Sequence, residues 1–86
     1  MTKTDDRLFF VYIVRCCDGT LYTGASTDVP KRVARHNAAK GAKYTRARLP
    51  VVLVWSKQLP TWLEAAREEA RIKRLTRKQK EALICS

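Results

Sequence analysis

The sequence predicts a mixed α/β fold (α+β) whose elements run strand, strand, helix, strand, helix, helix. Three observations carry this reading. Two short runs rich in β-branched and aromatic residues flank a strong turn signal at Asp18-Gly19, a third apolar run follows Pro50, and capped, helix-periodic segments fill the stretches after the second and third runs.

Leu8 to Arg15 and Thr20 to Ala25 form the first two strands, joined as a hairpin. Asp18-Gly19 serves either as a two-residue type I′ loop or as the end of a three-residue loop, Cys17-Asp18-Gly19, closed by a left-handed glycine. These differ by one residue of register. The shorter loop sends Tyr12 and Tyr22 to opposite faces; the longer one pairs Val14 with Tyr22 and puts both phenols on one face. Ser26-Thr27-Asp28 then offers N-cap oxygens, Pro30 suits a first helical turn, and Val29, Val33 and Ala38 carry an apolar stripe to a stop at Gly41, so a helix is expected from Val29 to Lys40.

Residues 42–49 are basic and irregular, with room for one helical turn. Pro50 opens the third strand, Val51 to Trp55. Its run Val51-Val52-Leu53-Val54 is apolar on both faces, which calls for helices above and below. Thr61 with Glu64 makes a capping box for a helix running to Arg74, and Thr76 caps a last helix ending at Ile84. There is no internal repeat and no low-complexity segment.

Eighty-six residues suit a single domain over 8–86 behind a flexible polar N-terminus, 1–7, and 45% apolar residues can bury a modest core without disulfides. Lys and Arg number 18 against 8 Asp and Glu, a formal charge of +10 spread through the chain. That balance points to a polyanionic partner, because counterion release from a phosphate backbone rewards such a surface whatever its sequence. Cys16, Cys17 and Cys85 are odd in number and lack the spacing of a zinc site, which fits reduced thiols in a cytoplasmic protein. The N-terminus has no signal-peptide core, and the longest apolar run, Leu8 to Val14, is too short to span a bilayer.

Two further groups carry chemistry. Arg32 and His36, four apart, share the inward stripe of the first helix with Val29 and Val33; they anchor or protonate a phosphate there, or else Arg32 snorkels and His36 caps a neighbouring carbonyl. On the third helix Trp62, Ala65, Ala66 and Ile72 form the apolar arc, with Glu64, Arg67, Glu68, Arg71 and Arg74 opposite. Glu69 falls inside the arc. An inward carboxylate requires a cation, and the choices are a metal, Arg32, or Lys73 one turn on.

Taken together these residues resemble the GIY-YIG nucleases, in particular small single-domain proteins of the UPF0213 type. The resemblance spans nearly the whole chain. Phe10-Val11-Tyr12 is similar to the first signature and Tyr22-Thr23-Gly24 to the second, followed by Thr27-Asp28-Val29-Pro30-Lys31-Arg32, His36-Asn37, Gly41-Ala42-Lys43-Tyr44-Thr45-Arg46, and Glu69 with Ile72-Lys73-Arg74-Leu75. It implies a three-stranded antiparallel sheet flanked by helices, with both tyrosines near one site, and so favours the three-residue loop. It also implies a metal-dependent endonuclease acting on DNA, in which Glu69 holds one Mg²⁺ or Mn²⁺, Tyr12 is the general base, Tyr22 supports the water or phosphate, Arg32 clamps the phosphate and His36 relays a proton. A phenol near pKa ~10 is a poor base at neutral pH, so Arg32 and the ion are expected to depress Tyr12. Gly24 lets the backbone pass close to the site, while Lys43, Tyr44, Arg46 and Lys73 are expected to contact nucleic acid, Tyr44 by stacking on a base. Phe10 replaces the glycine of the first signature, and the late asparagine of some family sites has Gln79 as its nearest counterpart.

Overall fold

The computed structural model describes residues 8–86; the expected flexible segment 1–7 lies outside the described residues. Strands β1 (Phe9–Cys16) and β2 (Leu21–Ser26) form the hairpin, followed by helices α1 (Val29–Asn37) and α2 (Lys43–Arg46), strand β3 (Val51–Leu59), and helices α3 (Trp62–Lys73) and α4 (Arg77–Cys85). The sheet is antiparallel throughout, in the order β2-β1-β3. The order of elements and the three-stranded antiparallel sheet match expectation.

The hairpin takes the three-residue loop. Val14 faces Tyr22, Cys16 N–H donates to Thr20 O at 2.8 Å, and Gly19 supplies the left-handed turn at φ +86°. Side chains alternate across the sheet, so Tyr12, Val14 and Cys16 pack with Val29 and Val51 on one face. Val11 and Ile13 pack with Ala65 and Ile72 on the other.

The strand buried on both faces is β1, where Val11, Tyr12, Ile13 and Val14 are all at most 1% exposed. This corrects the expectation for the third strand. β3 is an edge strand, with Val52 62% and Leu53 39% exposed and a register irregularity opposite Ile13/Val14. Asn37 seals the start of that edge by imitating a neighbouring strand: its Nδ2 donates to Val51 O at 3.1 Å and its Oδ1 accepts from Val51 N–H at 2.7 Å.

Helix α1 ends at Asn37, earlier than expected, and the left-handed residue after it is Ala39 at φ 63°, with Gly41 serving another purpose described below. Asp28 is its N-cap, accepting from Lys31 N–H. Helix α3 is capped by Thr61, which accepts from Glu64 N–H. Its inward stripe also differs from the predicted arc. Trp62 is 52% exposed, leaning on Phe9 with ring centroids 5.7 Å apart, and Ala66 is exposed too. The stripe is therefore centred on Ala65 and Ile72, and that rotation draws in both carboxylates between them, Glu68 and Glu69, where only Glu69 was expected. Glu68 is the more buried, its side chain 13% exposed against 24% for Glu69, and it is paired with Arg71 at 2.8 Å and Lys57 at 3.4 Å.

Helix α4 starts at a complete capping box in which Gln79 accepts from Thr76 N–H. Its Glu81 grips Arg15 of β1 through two hydrogen bonds of 2.9 and 2.8 Å. Among the described residues no helix is long and apolar enough to cross a membrane.

Candidate active site

Tyr12 stands at the centre of β1 directly opposite Gly24 of β2, and its ring lies across that glycine. A Cβ at position 24 would meet the phenol oxygen at 2.5 Å. The glycine therefore gives passage to the Tyr12 side chain. Beyond it the Tyr12 hydroxyl reaches His36 of α1, with Oη 2.9 Å from Nε2 and both residues 1% exposed. On its other side the imidazole places Nδ1 2.8 Å from Thr45 Oγ1, whose hydroxyl donates to Ala42 O at 2.9 Å.

Tyr22 shares the face of Tyr12 and meets the His36 ring edge-on, centroids 5.4 Å apart. Its other neighbour is Tyr44, stacked on it at 5.9 Å and 20°, and the Arg48 guanidinium lies 4.0 Å over the Tyr44 ring. Tyr44 is thus already engaged on both its aromatic neighbour and a cation, where the sequence suggested a free ring for a base. Lys43 and Arg46 on α2 are exposed.

Tyr22, Arg32, Arg35, His36, Lys40 and Gly41 line a cleft of about 320 Å³. Seven Lys and Arg fall between residues 31 and 48, with no Asp or Glu among them, so this segment carries most of the chain's excess positive charge, and Arg32, Arg35 and Lys40 bring part of it to the cleft.

Burial first, and Tyr22 second, push the Tyr12 phenol up to about 12; Arg32 pulls it down and Glu69 adds a smaller upward push. Arg32 thus acts in the expected direction, but loss of hydration outweighs the guanidinium. Burial, then the Arg32 charge, holds His36 below the usual imidazole value of 6.5. Arg32 itself is exposed on α1, at the rim of the cleft.

Glu69 comes from α3, which covers the opposite face of the sheet from the one that carries Tyr12, yet its charge is felt at that phenol. Its carboxylate pairs with Lys73 Nζ at 2.7 Å. Of the cations that the sequence offers it, Lys73 is the one in contact. Gln79 is committed to the α4 cap and takes no part in the site.

Among the described residues no three His, Cys, Asp or Glu side chains converge as a ready metal site. A single half-buried carboxylate that already attracts a cation does fit a hard ion such as Mg²⁺, which keeps several waters and takes its remaining ligands from substrate phosphate. Sequence reasoning passed over Thr45 and Gly41. Thr45 is fully buried against His36, and a Cβ at Gly41 would overlap the imidazole Nδ1. Both lie in the stretch Gly41-Ala42-Lys43-Tyr44-Thr45-Arg46 that carries the family resemblance, which marks the segment without tying either residue to His36.

A fold of three antiparallel strands with two tyrosines, a histidine and an arginine gathered at a basic cleft defines the class. The pattern of the GIY-YIG catalytic domain matches residues 8–82. A UPF0213 protein of Halobacterium salinarum is 58% identical over 74 residues, covering 86% of this chain and 96% of its own length. One from Staphylococcus haemolyticus is 52% identical over 75 residues, covering 87% and 92%. The solution NMR structure of a UPF0213 protein from Bacillus halodurans superposes with a TM-score of 0.59 at 46% identity, covering 91% of this chain and 83% of that one. That of a protein from E. faecalis gives a TM-score of 0.60 at 33% identity, covering 92% and 85%. The chain belongs to the GIY-YIG family, and within it to the UPF0213 proteins.

Proposed function

We propose that this protein is a metal-dependent endonuclease that hydrolyses phosphodiester bonds in DNA, structured or single-stranded. The observation that supports this most directly is the buried 2.9 Å contact of Tyr12 Oη with His36 Nε2, beside a cleft lined by Arg32, Arg35 and Lys40. Hydrolysing a phosphodiester needs a group that takes a proton from water and cations that hold the anion; the arrangement offers both.

In this reading Tyr12 Oη hydrogen-bonds the attacking water and receives its proton while its own passes to His36 Nε2. A free phenolate, scarce at neutral pH for a group at about 12, then never has to form. Tyr22 supports the water or the phosphate, and Arg32 clamps the scissile phosphate through its guanidinium fork. Glu69 would hold one Mg²⁺ or Mn²⁺, which supplies Lewis-acid neutralisation of charge on the phosphate and the leaving oxygen. Lys43, Arg46 and Lys73 contact the flanking phosphates, and Tyr44, through its stack on Tyr22, shapes the wall of the cleft.

The test is a panel of single-stranded, nicked and branched DNA and matching RNA, incubated with Mg²⁺, Mn²⁺ or chelator. Metal-dependent scission of DNA that disappears in Glu69→Ala supports the proposal; a folded wild type that cuts nothing refutes it. One observation favours a second reading, a catalytically weak nucleic-acid-binding module on the same fold: Lys73 already satisfies Glu69 without an ion. That module binds with strong salt dependence and leaves the strands intact.

A further inference from the structure

Three short contacts run in series from the phenol to the α2 turn: Tyr12 Oη to His36 Nε2 at 2.9 Å, His36 Nδ1 to Thr45 Oγ1 at 2.8 Å, and Thr45 Oγ1 to Ala42 O at 2.9 Å. Each joins two atoms that bear lone pairs, so each requires one proton between them. A carbonyl has none to give, and the Thr45–Ala42 contact must therefore hold the single hydroxyl proton of Thr45. With that proton spent, Oγ1 can only accept, and the proton it accepts is on Nδ1. A neutral imidazole has one N–H, so Nε2 is bare and faces the Tyr12 hydroxyl as an acceptor. The reverse arrangement, with Thr45 donating to Nδ1 and Nε2–H donating to the phenol, leaves two oxygens 2.9 Å apart with no proton to join them. An imidazolium would also fill all three contacts, but burial and the Arg32 charge both oppose it.

We infer that Thr45 is a positioning residue that fixes His36 in its Nδ1–H tautomer and so keeps Nε2 open to the proton of Tyr12. Thr45 is fully buried, and Ala42 O also accepts the Thr45 and Arg46 backbone N–H groups, so the hydroxyl is anchored to a turn that is itself held in place. Gly41 completes the seat. A side chain there would overlap the ring Nδ1 and come within 3.0 Å of His36 Cα, so only glycine lets the loop close over the imidazole. The tautomer follows from this geometry alone; its effect on turnover rests on the nuclease reading.

His36 is the only histidine in the sequence, so a long-range ¹H–¹⁵N correlation spectrum of uniformly labelled protein shows a single imidazole. At a pH where the ring is neutral, the wild type is expected to show a protonated Nδ1 and a bare Nε2. Thr45→Ser keeps that pattern, because it keeps the hydroxyl. Thr45→Val, close in volume but unable to accept, moves the proton to Nε2, and cleavage falls by roughly a hundredfold, the scale of one lost proton-transfer partner. An Nε2–H pattern in the wild type overturns the inference outright, as does a folded Thr45→Val protein that retains Nδ1–H. Should Thr45→Val fail to fold, the wild-type and Thr45→Ser spectra still decide, an Nε2–H pattern in either being contrary. The expected spectra from a protein that cuts no substrate would uphold the tautomer and refute the nuclease reading, which separates the two.

Discussion

The ring of Tyr12 lies so closely over Gly24 that a single added carbon at position 24 would stand 2.5 Å from the phenol oxygen and 2.7 Å from Cζ. This explains a glycine in the middle of a strand, where glycine is otherwise costly. Gly24→Ala is expected to push the phenol off His36. Overpacking of this kind costs about 1–3 kcal/mol of stability. Equilibrium urea unfolding would show the loss as a lower midpoint, and the cleavage rate would fall further than stability alone accounts for.

Asn37 carries both edge hydrogen bonds of Val51, and Asn37→Ala removes both while leaving the Val51 groups at the strand edge. The expected destabilisation is about 1–3 kcal/mol. Chemical denaturation with an unchanged m-value would confirm that the native state has weakened without a change in compactness.

Acid should unfold the protein through two carboxylates. Arg71 and then Lys57 hold Glu68 down to about 2 against burial, and Arg15 holds Glu81 likewise to about 2. A carboxyl whose folded value lies below its unfolded one adds stability that is complete above the ordinary value of 4.5 and is lost as pH falls toward the folded value. Thermal melts are therefore expected to drop steeply between about pH 4.5 and 2, and Glu68→Gln to flatten that slope. An unchanged slope in Glu68→Gln would place the acid sensitivity elsewhere.

The rate of cleavage should follow His36 and be indifferent to phenol ionisation near neutrality. Protonated His36 cannot take the Tyr12 proton, so activity falls on the acid side, through a value below 6.5. Above that it stays level, because the phenol itself titrates only at about 12. A rate rising tenfold per pH unit from neutrality upward would instead identify a free phenolate as the base.

What the sequence made legible depended on how local each signal was. The strands, caps and turn were written in neighbouring residues: Asp28, Thr61 and Thr76 cap their helices, and Gly19 turns the hairpin. The shared face of Tyr12 and Tyr22 needed the family resemblance as well, since Asp18-Gly19 alone permits two registers. The apolar run at Val51 could not reveal that β3 lies at the edge, because a run of valines looks alike in a central strand and in an edge strand half-covered by helices. The α3 arc was displaced by Trp62, an aromatic that sits at the helix start leaning on Phe9, so the burial of Glu68 was hidden. The roles of Thr45 and Gly41 were hidden for a different reason: the family stretch 41–46 marks the segment, but each residue matters through one imidazole that the α1–α2 loop folds back upon, a contact no local pattern announces.

In the proposed nuclease, Tyr12 and Glu69 serve chemistry and not merely attachment of nucleic acid. Single-turnover cleavage and filter-binding measured side by side on wild type, Tyr12→Phe and Glu69→Gln test it most directly. Both variants are expected to stay folded, bind the substrate within about threefold of wild type, and cleave it at least a hundredfold more slowly, in line with loss of a general base or a metal-holding carboxylate. Two folded variants that cleave as fast as the wild type would contradict that role.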